Sequence, residues 1–153
     1  MRKIRFIINP KSGATDKHSF TDWINSNIDR SIFECEITHT TAPHHATALA
    51  REAAENNFDI VVAVGGDGSV NETGAGLIGT KTALGIIPTG SGNGMARHMK
   101  IPIHFQKAVA LLNTGTNELV DTLTVNNRPC IGTFGIGFDA HIAHLFAGAG
   151  TRG

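Results

Sequence analysis

The segment Val64–Glu72, V-G-G-D-G-S-V-N-E, sets three glycines beside a carboxylate and several hydrogen-bonding side chains. A short apolar run, Ile60–Val64, precedes it and reads as a buried strand, and Val70–Ile78 after it can be helical. Gly65, Gly66 and Gly68 therefore fall at a strand-to-helix turn, where glycine permits positive φ and close backbone approach. The first N–H groups of the helix offer donors to an anion. Asp67 adds a carboxylate able to hold Mg²⁺ directly or through water. This spacing suits a nucleotide-phosphate and metal site. The plainer alternative is a tight turn that only needs glycine.

Two more loops carry compatible chemistry. Lys3–Ile8 is an apolar strand that ends at Asn9-Pro10-Lys11-Ser12-Gly13, which supplies an amide, an ammonium and a hydroxyl. Ala83–Ile87 empties into Pro88-Thr89-Gly90-Ser91-Gly92-Asn93-Gly94, with Arg97 shortly after. Thr89, Ser91 and Asn93 offer polar contacts, and Arg97 either neutralises phosphate or faces water. Each loop alone is ordinary. Three of them at strand exits point to one edge of an open parallel sheet, where ligands bind.

The elements that would position these loops alternate. Phe20, Trp23, Ile24 and Ile28 recur at helical spacing over Lys17–Asp29, with Thr15 or Asp16 as a cap. Phe33–Thr38 alternates apolar and polar residues as a strand, and His44–Asn57 has a small alanine-rich face for a helix. Phe105–Asn113 gives a further helix. The expected fold is α/β: a Rossmann-like nucleotide-binding domain with a mostly parallel sheet. Gly74, Gly76 and Gly79 match G-x-G-x-x-G, but a helix rather than a strand precedes them, so close helix packing is the better reading. Adjacent His44 and His45 point in different directions on a helix, and His141 with His144 lack a third ligand.

After the last of these helices the texture changes. Glu118–Val125 and Arg128–Ile136 are strand-like runs joined by Asn126-Asn127, a hairpin turn. A boundary is expected near Asn117–Asp121, with an α/β domain over 1–118 and the start of a β-rich domain over 119–153. Gly135–Asp139, G-I-G-F-D, leads into an apolar segment at Ala140–Ala147. The chain then stops in a glycine-rich stretch, the pattern expected of a piece of a longer protein. Unpaired strand edges at Glu118–Ile136 would favour a homodimer.

The 153 residues suit ordinary domain size, and 41% hydrophobic against 17% charged argues against disorder. Lys+Arg 13 balance Asp+Glu 13, so neither nucleic acid nor an anionic membrane is favoured electrostatically. Cys35 and Cys130 lie far apart in no C-x-x-C pattern, as in a reducing, cytoplasmic setting. No apolar run approaches the ~20 residues of a membrane span.

On Asn9–Gly13, Thr40 with the following Pro-His-His-Ala, Gly65–Ser69 with Asn71-Glu72, Pro88–Asn93 and Gly135–Asp139, the chain resembles the diacylglycerol-kinase catalytic-domain family. That family includes bacterial lipid kinases and the sphingosine and ceramide kinases. The resemblance implies a nucleotide-binding α/β domain and a β-rich domain with the active site between them. It implies ATP contacts at Asn9, Pro10, Lys11, Ser12, Gly13, Thr40, Gly65, Gly66, Asp67, Gly68, Ser69, Asn71, Glu72, Thr89, Gly90, Ser91, Gly92 and Asn93. Asp67 would serve the Mg²⁺–phosphate network. The acceptor would be a lipid hydroxyl, such as that of diacylglycerol, met by transient contact with a membrane surface. The family commonly has glycine where His44 stands and threonine where Ser69 stands. Its catalytic base would lie in the β-rich domain beyond Gly153, so nucleotide binding with little turnover is expected of these residues alone. Other G-G-D-G kinases, of the phosphofructokinase or NAD-kinase type, share the central motif. A non-catalytic nucleotide-binding module is the third reading.

Overall fold

The computed structural model of the chain describes residues 1–10 and 17–148. Strands β1 (Arg2–Ile8), β2 (Phe33–His39), β3 (Ile60–Gly65) and β4 (Ala83–Pro88) form one parallel sheet in the order β2-β1-β3-β4. Helices α1 (Lys17–Asn27), α2 (His45–Glu55) and α3 (Asp67–Leu77) make the crossovers that parallel pairing requires. The short α4 (Gly94–His98) and then α5 (Phe105–Thr114) follow β4. A two-stranded antiparallel hairpin, β5 (Leu123–Val125) and β6 (Arg128–Cys130), and helix α6 (Phe138–Gly148) come last.

The period of two along each strand sorts the core onto both faces of the sheet. Ile4, Phe6 and Ile8 of β1 join Val62 and Val64 of β3 against α1 and α5. There Phe20 and Phe105 stack with ring centroids 4.7 Å apart. Ile7 and Val61, pointing the other way, meet Ala46, Ala50 and Ala53 of α2 and Leu77 of α3. Arg5 shares that second face. Its guanidinium donates to the Leu49 carbonyl and pairs with Glu36 at 2.9 Å and Glu52 at 3.3 Å, so a charge inside an apolar strand is paired, although its buried Nε makes no hydrogen bond.

Alanine and glycine let α2 and α3 approach closely. A Cβ at Gly76 would lie 2.5 Å from the Thr47 carbonyl oxygen. Gly74 and Gly76 of the G-x-G-x-x-G match are therefore packing positions within α3, while Gly79 takes left-handed backbone beyond its end.

The register fixes where the loops emerge. Ile8 pairs with His39 on one side and Val64 on the other, and Val64 pairs with Ile87. The exits at Asn9, Thr40, Gly65 and Pro88 thus stand side by side on one edge. The strand order reverses direction between β1 and β3, and that pair of exits is the switch point where such sheets hold ligands.

Three local expectations change. Helix α3 begins at Asp67 rather than Val70, with Gly66 as its N-cap, because first-turn N–H groups have no intrahelical partner in any case. Gly65, Gly66 and Gly68 do not use positive φ; among the described glycines Gly79 (77°) and Gly137 (64°) do. The two strand-like runs shorten to three residues each, as two strands alone have few partners. Their turn forms as expected, with Asn126 at φ 49° and Asn127 at φ 61°. Among the described residues no helix is long and apolar enough to cross a membrane.

Candidate functional site

The site is built at the β1/β3 switch and closed by the loop after β4. Asn9 leaves β1 with its N–H donating to the Val64 carbonyl at 3.1 Å. Its Nδ2 reaches across the switch to Ser69 Oγ at 3.1 Å, tying the first loop to the first turn of α3. Pro10 follows, half-buried, and Lys11, Ser12 and Gly13 lie outside the described residues, as do Thr15 and Asp16. Thr40 leaves β2 in the same row, its N–H donating to the Ile8 carbonyl at 3.0 Å.

The two glycine loops touch directly. Thr89 N–H donates to the Gly65 carbonyl at 2.9 Å, which prolongs the β3–β4 ladder. Gly66 then caps α3 with extended backbone and lies against Gly90. Asp67 is the first residue of α3 and is exposed, in a position that suits a negative charge at a helix N-terminus. Its carboxylate lies over the β4 loop: a Cβ at Gly92 would come within 2.9 Å of Oδ2, and one at Gly94 within 3.7 Å of Oδ1. A Cβ at Gly68 would meet nothing within 4 Å.

Asn93 holds the second loop in shape. It is buried, sits at φ 53°, accepts from Gly90 N–H at 3.0 Å and donates to the Gly90 carbonyl at 2.6 Å. Its side chain is thus used inside the loop, a role that sequence reading missed; the Asn-Gly dipeptide at 93–94 was the available signal. Arg97 donates through Nε to the Gly92 carbonyl at 3.0 Å, leaving the loop exposed at Ser91 and Gly92.

The structure gathers Asn9, Gly66, Asp67, Ser69, Gly90 and Gly92 around this edge. Asn71 and Glu72, further along α3, bond other segments of the chain, Asn71 through its side chain and Glu72 through its backbone carbonyl. Asn71 Oδ1 accepts from Ile131 N–H at 2.8 Å, and the Glu72 carbonyl accepts from Thr47 Oγ1 at 2.8 Å.

Among the described residues no group of three His, Cys, Asp or Glu side chains could hold a metal ion. That donor set does not suit a metal caged by protein. It does suit Mg²⁺ that arrives with phosphate, which is commonly held by one or two carboxylates plus water and phosphate oxygens. The carboxylate placed here is that of Asp67, and the missing side chains at Gly92 and Gly94 leave it room.

A parallel α/β sheet with glycine turns converging at its switch point defines the doubly wound class of ligand-binding domains. Within that class the diacylglycerol kinase catalytic domain matches residues 3–125, and the chain belongs to this family. It is 33% identical to a diacylglycerol kinase of Bacillus subtilis over 90% of its own length and 46% of that protein. It is also similar to sphingosine kinase B of Dictyostelium discoideum, at 32% identity over 85% of this chain and 19% of the other. Among solved structures, a putative diacylglycerol kinase from Bacillus anthracis superposes with a TM-score of 0.76 at 30% identity, over 84% of this chain and 47% of the other. The chain thus spans about half the length of the bacterial relatives it matches. Kinases are thus among its homologues.

Proposed function

We propose that this chain carries the nucleotide half of an ATP-dependent lipid kinase, which moves the γ-phosphoryl group of ATP to a lipid hydroxyl. The observation that carries the reading is the Asn9–Ser69 bond across the β1/β3 switch, at the place where the Gly66 and Gly90 turns meet. The α3 N-terminus and the two glycine turns would receive the phosphates. Asp67 would hold Mg²⁺, which supplies charge neutralisation of the phosphates when bound. In this chemistry the protein mainly positions groups and stabilises charge. Ser69 keeps the hydroxyl that threonine provides in the family.

The lipid acceptor is supported by the relatives: both a diacylglycerol kinase and a sphingosine kinase match this chain. Contact with a membrane surface follows from such an acceptor. The domain division at about residue 118 and a homodimer through Glu118–Ile136 belong to the same proposal. Leu119, Leu123, Phe134 and Ile136 are exposed there, which leaves apolar surface to cover.

Calorimetric titration with ATP, with and without Mg²⁺, tests the nucleotide half. Binding that Mg²⁺ strengthens, and an Asp67→Asn variant that binds ATP without that gain, is the expected result. A folded chain that binds no nucleotide overturns the reading. A phosphoryl-transfer panel of diacylglycerol, a sphingoid base, a sugar phosphate and NAD tests the acceptor. Transfer to either of the last two places the chain with the other G-G-D-G kinases.

A further inference from the structure

Asn71 stands four residues beyond Asp67, on the same helix that carries the phosphate turn. Its Oδ1 accepts from the backbone N–H of Ile131, the residue after β6, at 2.8 Å. Ile131 is only 6% exposed, although the residues that follow it are exposed. Its side chain lies on Gly74. A Cβ there would come 2.8 Å from Ile131 Cγ1 and 3.3 Å from both Cδ1 and Cγ2. Both branches of the side chain are in the way, so a Cβ at Gly74 would require Ile131 to shift.

Asn71 and Gly74 are three residues apart, so they lie on one face of α3. Together they form a seat, with a hydrogen-bond acceptor for the Ile131 backbone and an empty place for its side chain. We propose that this seat couples the β5–β6 segment to the phosphate turn, with Asn71 as a positioning residue and not a nucleotide contact. The inference rests on the reading of the α3 N-terminus as the nucleotide site. If α3 carries phosphate at one end and Ile131 a turn later, each binding event biases the other. Coupling of this kind is reciprocal, so both effects have the same factor. One buried hydrogen bond with its side-chain contact corresponds to about fivefold.

The test follows the Ile131 amide by hydrogen exchange in NMR spectra, with and without ATP·Mg²⁺, beside ATP titrations of each variant. In the unaltered chain nucleotide is expected to slow Ile131 exchange about fivefold. Asn71→Leu removes the acceptor, and Gly74→Ala displaces Ile131 without touching Asn71 or the glycine turns. Both are expected to expose the Ile131 amide and weaken ATP about fivefold. Adding Ile131→Ala to Gly74→Ala removes the clash and is expected to recover both. Weakened ATP in Asn71→Leu alone, with Gly74→Ala opening Ile131 yet binding ATP normally, would make Asn71 a direct nucleotide contact and overturn the proposal. So would Ile131 exchange that nucleotide leaves unchanged. If the unaltered chain takes up no ATP, the nucleotide reading fails and takes the coupling with it. Opening of Ile131 in both variants would then still establish the seat.

Discussion

Gly66 and Gly90 meet backbone to backbone. A Cβ on Gly90 would lie 2.6 Å from Gly66 Cα, and one on Gly66 would lie 3.2 Å from Gly90 Cα. Neither side has a flexible side chain to yield. The two turns follow neighbouring strands whose ladder runs right up to them, through the Thr89–Gly65 bond. Close approach, not backbone handedness, is therefore what requires glycine at these positions.

Gly90→Ala is expected to destabilise the fold by about 1–3 kcal/mol, the usual range for forcing an extra carbon into packed structure. Gly68→Ala meets nothing within 4 Å and lies in a helix, so it should be neutral or gain up to about 1 kcal/mol. Urea denaturation of both variants reads the difference. Equal losses would sink the close-approach account. ATP titration of Gly68→Ala adds a second result: weaker binding in a chain of unreduced stability is expected if the open space at Gly68 is ligand space.

Asn93 combines two burdens that substitution can separate. Its side chain satisfies both polar backbone groups of Gly90, and its own φ is 53°. Asn93→Gly keeps the left-handed backbone and loses both bonds, at about 1–3 kcal/mol. Asn93→Ala adds the left-handed strain of about 1–2 kcal/mol but spares the about 0.5–1 kcal/mol of chain entropy that glycine loses, a net of about 0.5–1 kcal/mol more. Thermal unfolding of the pair measures the gap, and variants of equal stability would contradict the strain assignment.

The sheet was legible in the sequence because its strands are short apolar runs that end in polar, glycine-bearing loops. Ile60–Val64 and Ala83–Ile87 each needed only a one-residue extension. The convergence of exits was legible too, since parallel pairing forces it. Side-chain duties inside the site were not. Asn71 and Asn93 read in the sequence only as amides beside glycines, and the structure adds that Asn71 Oδ1 bonds the Ile131 backbone and the Asn93 amide bonds Gly90. Nothing local in the sequence distinguishes an amide that bonds a ligand from one that bonds backbone 60 residues away. The hairpin lengths were overread because alternation marks a strand only where neighbours exist to pair with it.

His44 stands where the resemblance implies glycine, and its backbone gives that a physical reason. It precedes α2 at φ 64° and ψ 1°, and its side chain makes no capping hydrogen bond. Left-handed backbone costs a side chain about 1–2 kcal/mol, while glycine loses about 0.5–1 kcal/mol of chain entropy on folding. His44→Gly should therefore stabilise the chain by about 0.5–1 kcal/mol. A drop in the urea midpoint would show that the imidazole contributes more than the strain it carries.

Cys35 gives the fold an alkaline limit. It sits on β2, partly buried against the main core. Burial raises its thiol pKa above the ordinary 9.0, Glu36 pushes the same way, and Arg30 opposes them. In the unfolded chain the thiol ionises near its ordinary value. As pH rises past 9.0, the unfolded state loses this proton first and binds fewer protons than the native state. Stability is thus fully present below that pH and falls above it, until the native thiol ionises as well. Other groups titrate in the same range, so the useful quantity is a difference. Urea midpoints of the unaltered chain minus those of Cys35→Ala should be flat up to about pH 8 and decline toward about pH 10. A difference that stays flat throughout would mean that the thiolate is as well solvated in the fold as out of it. Slow alkylation of Cys35 in the native chain, becoming fast in urea, would report the same burial by an independent route.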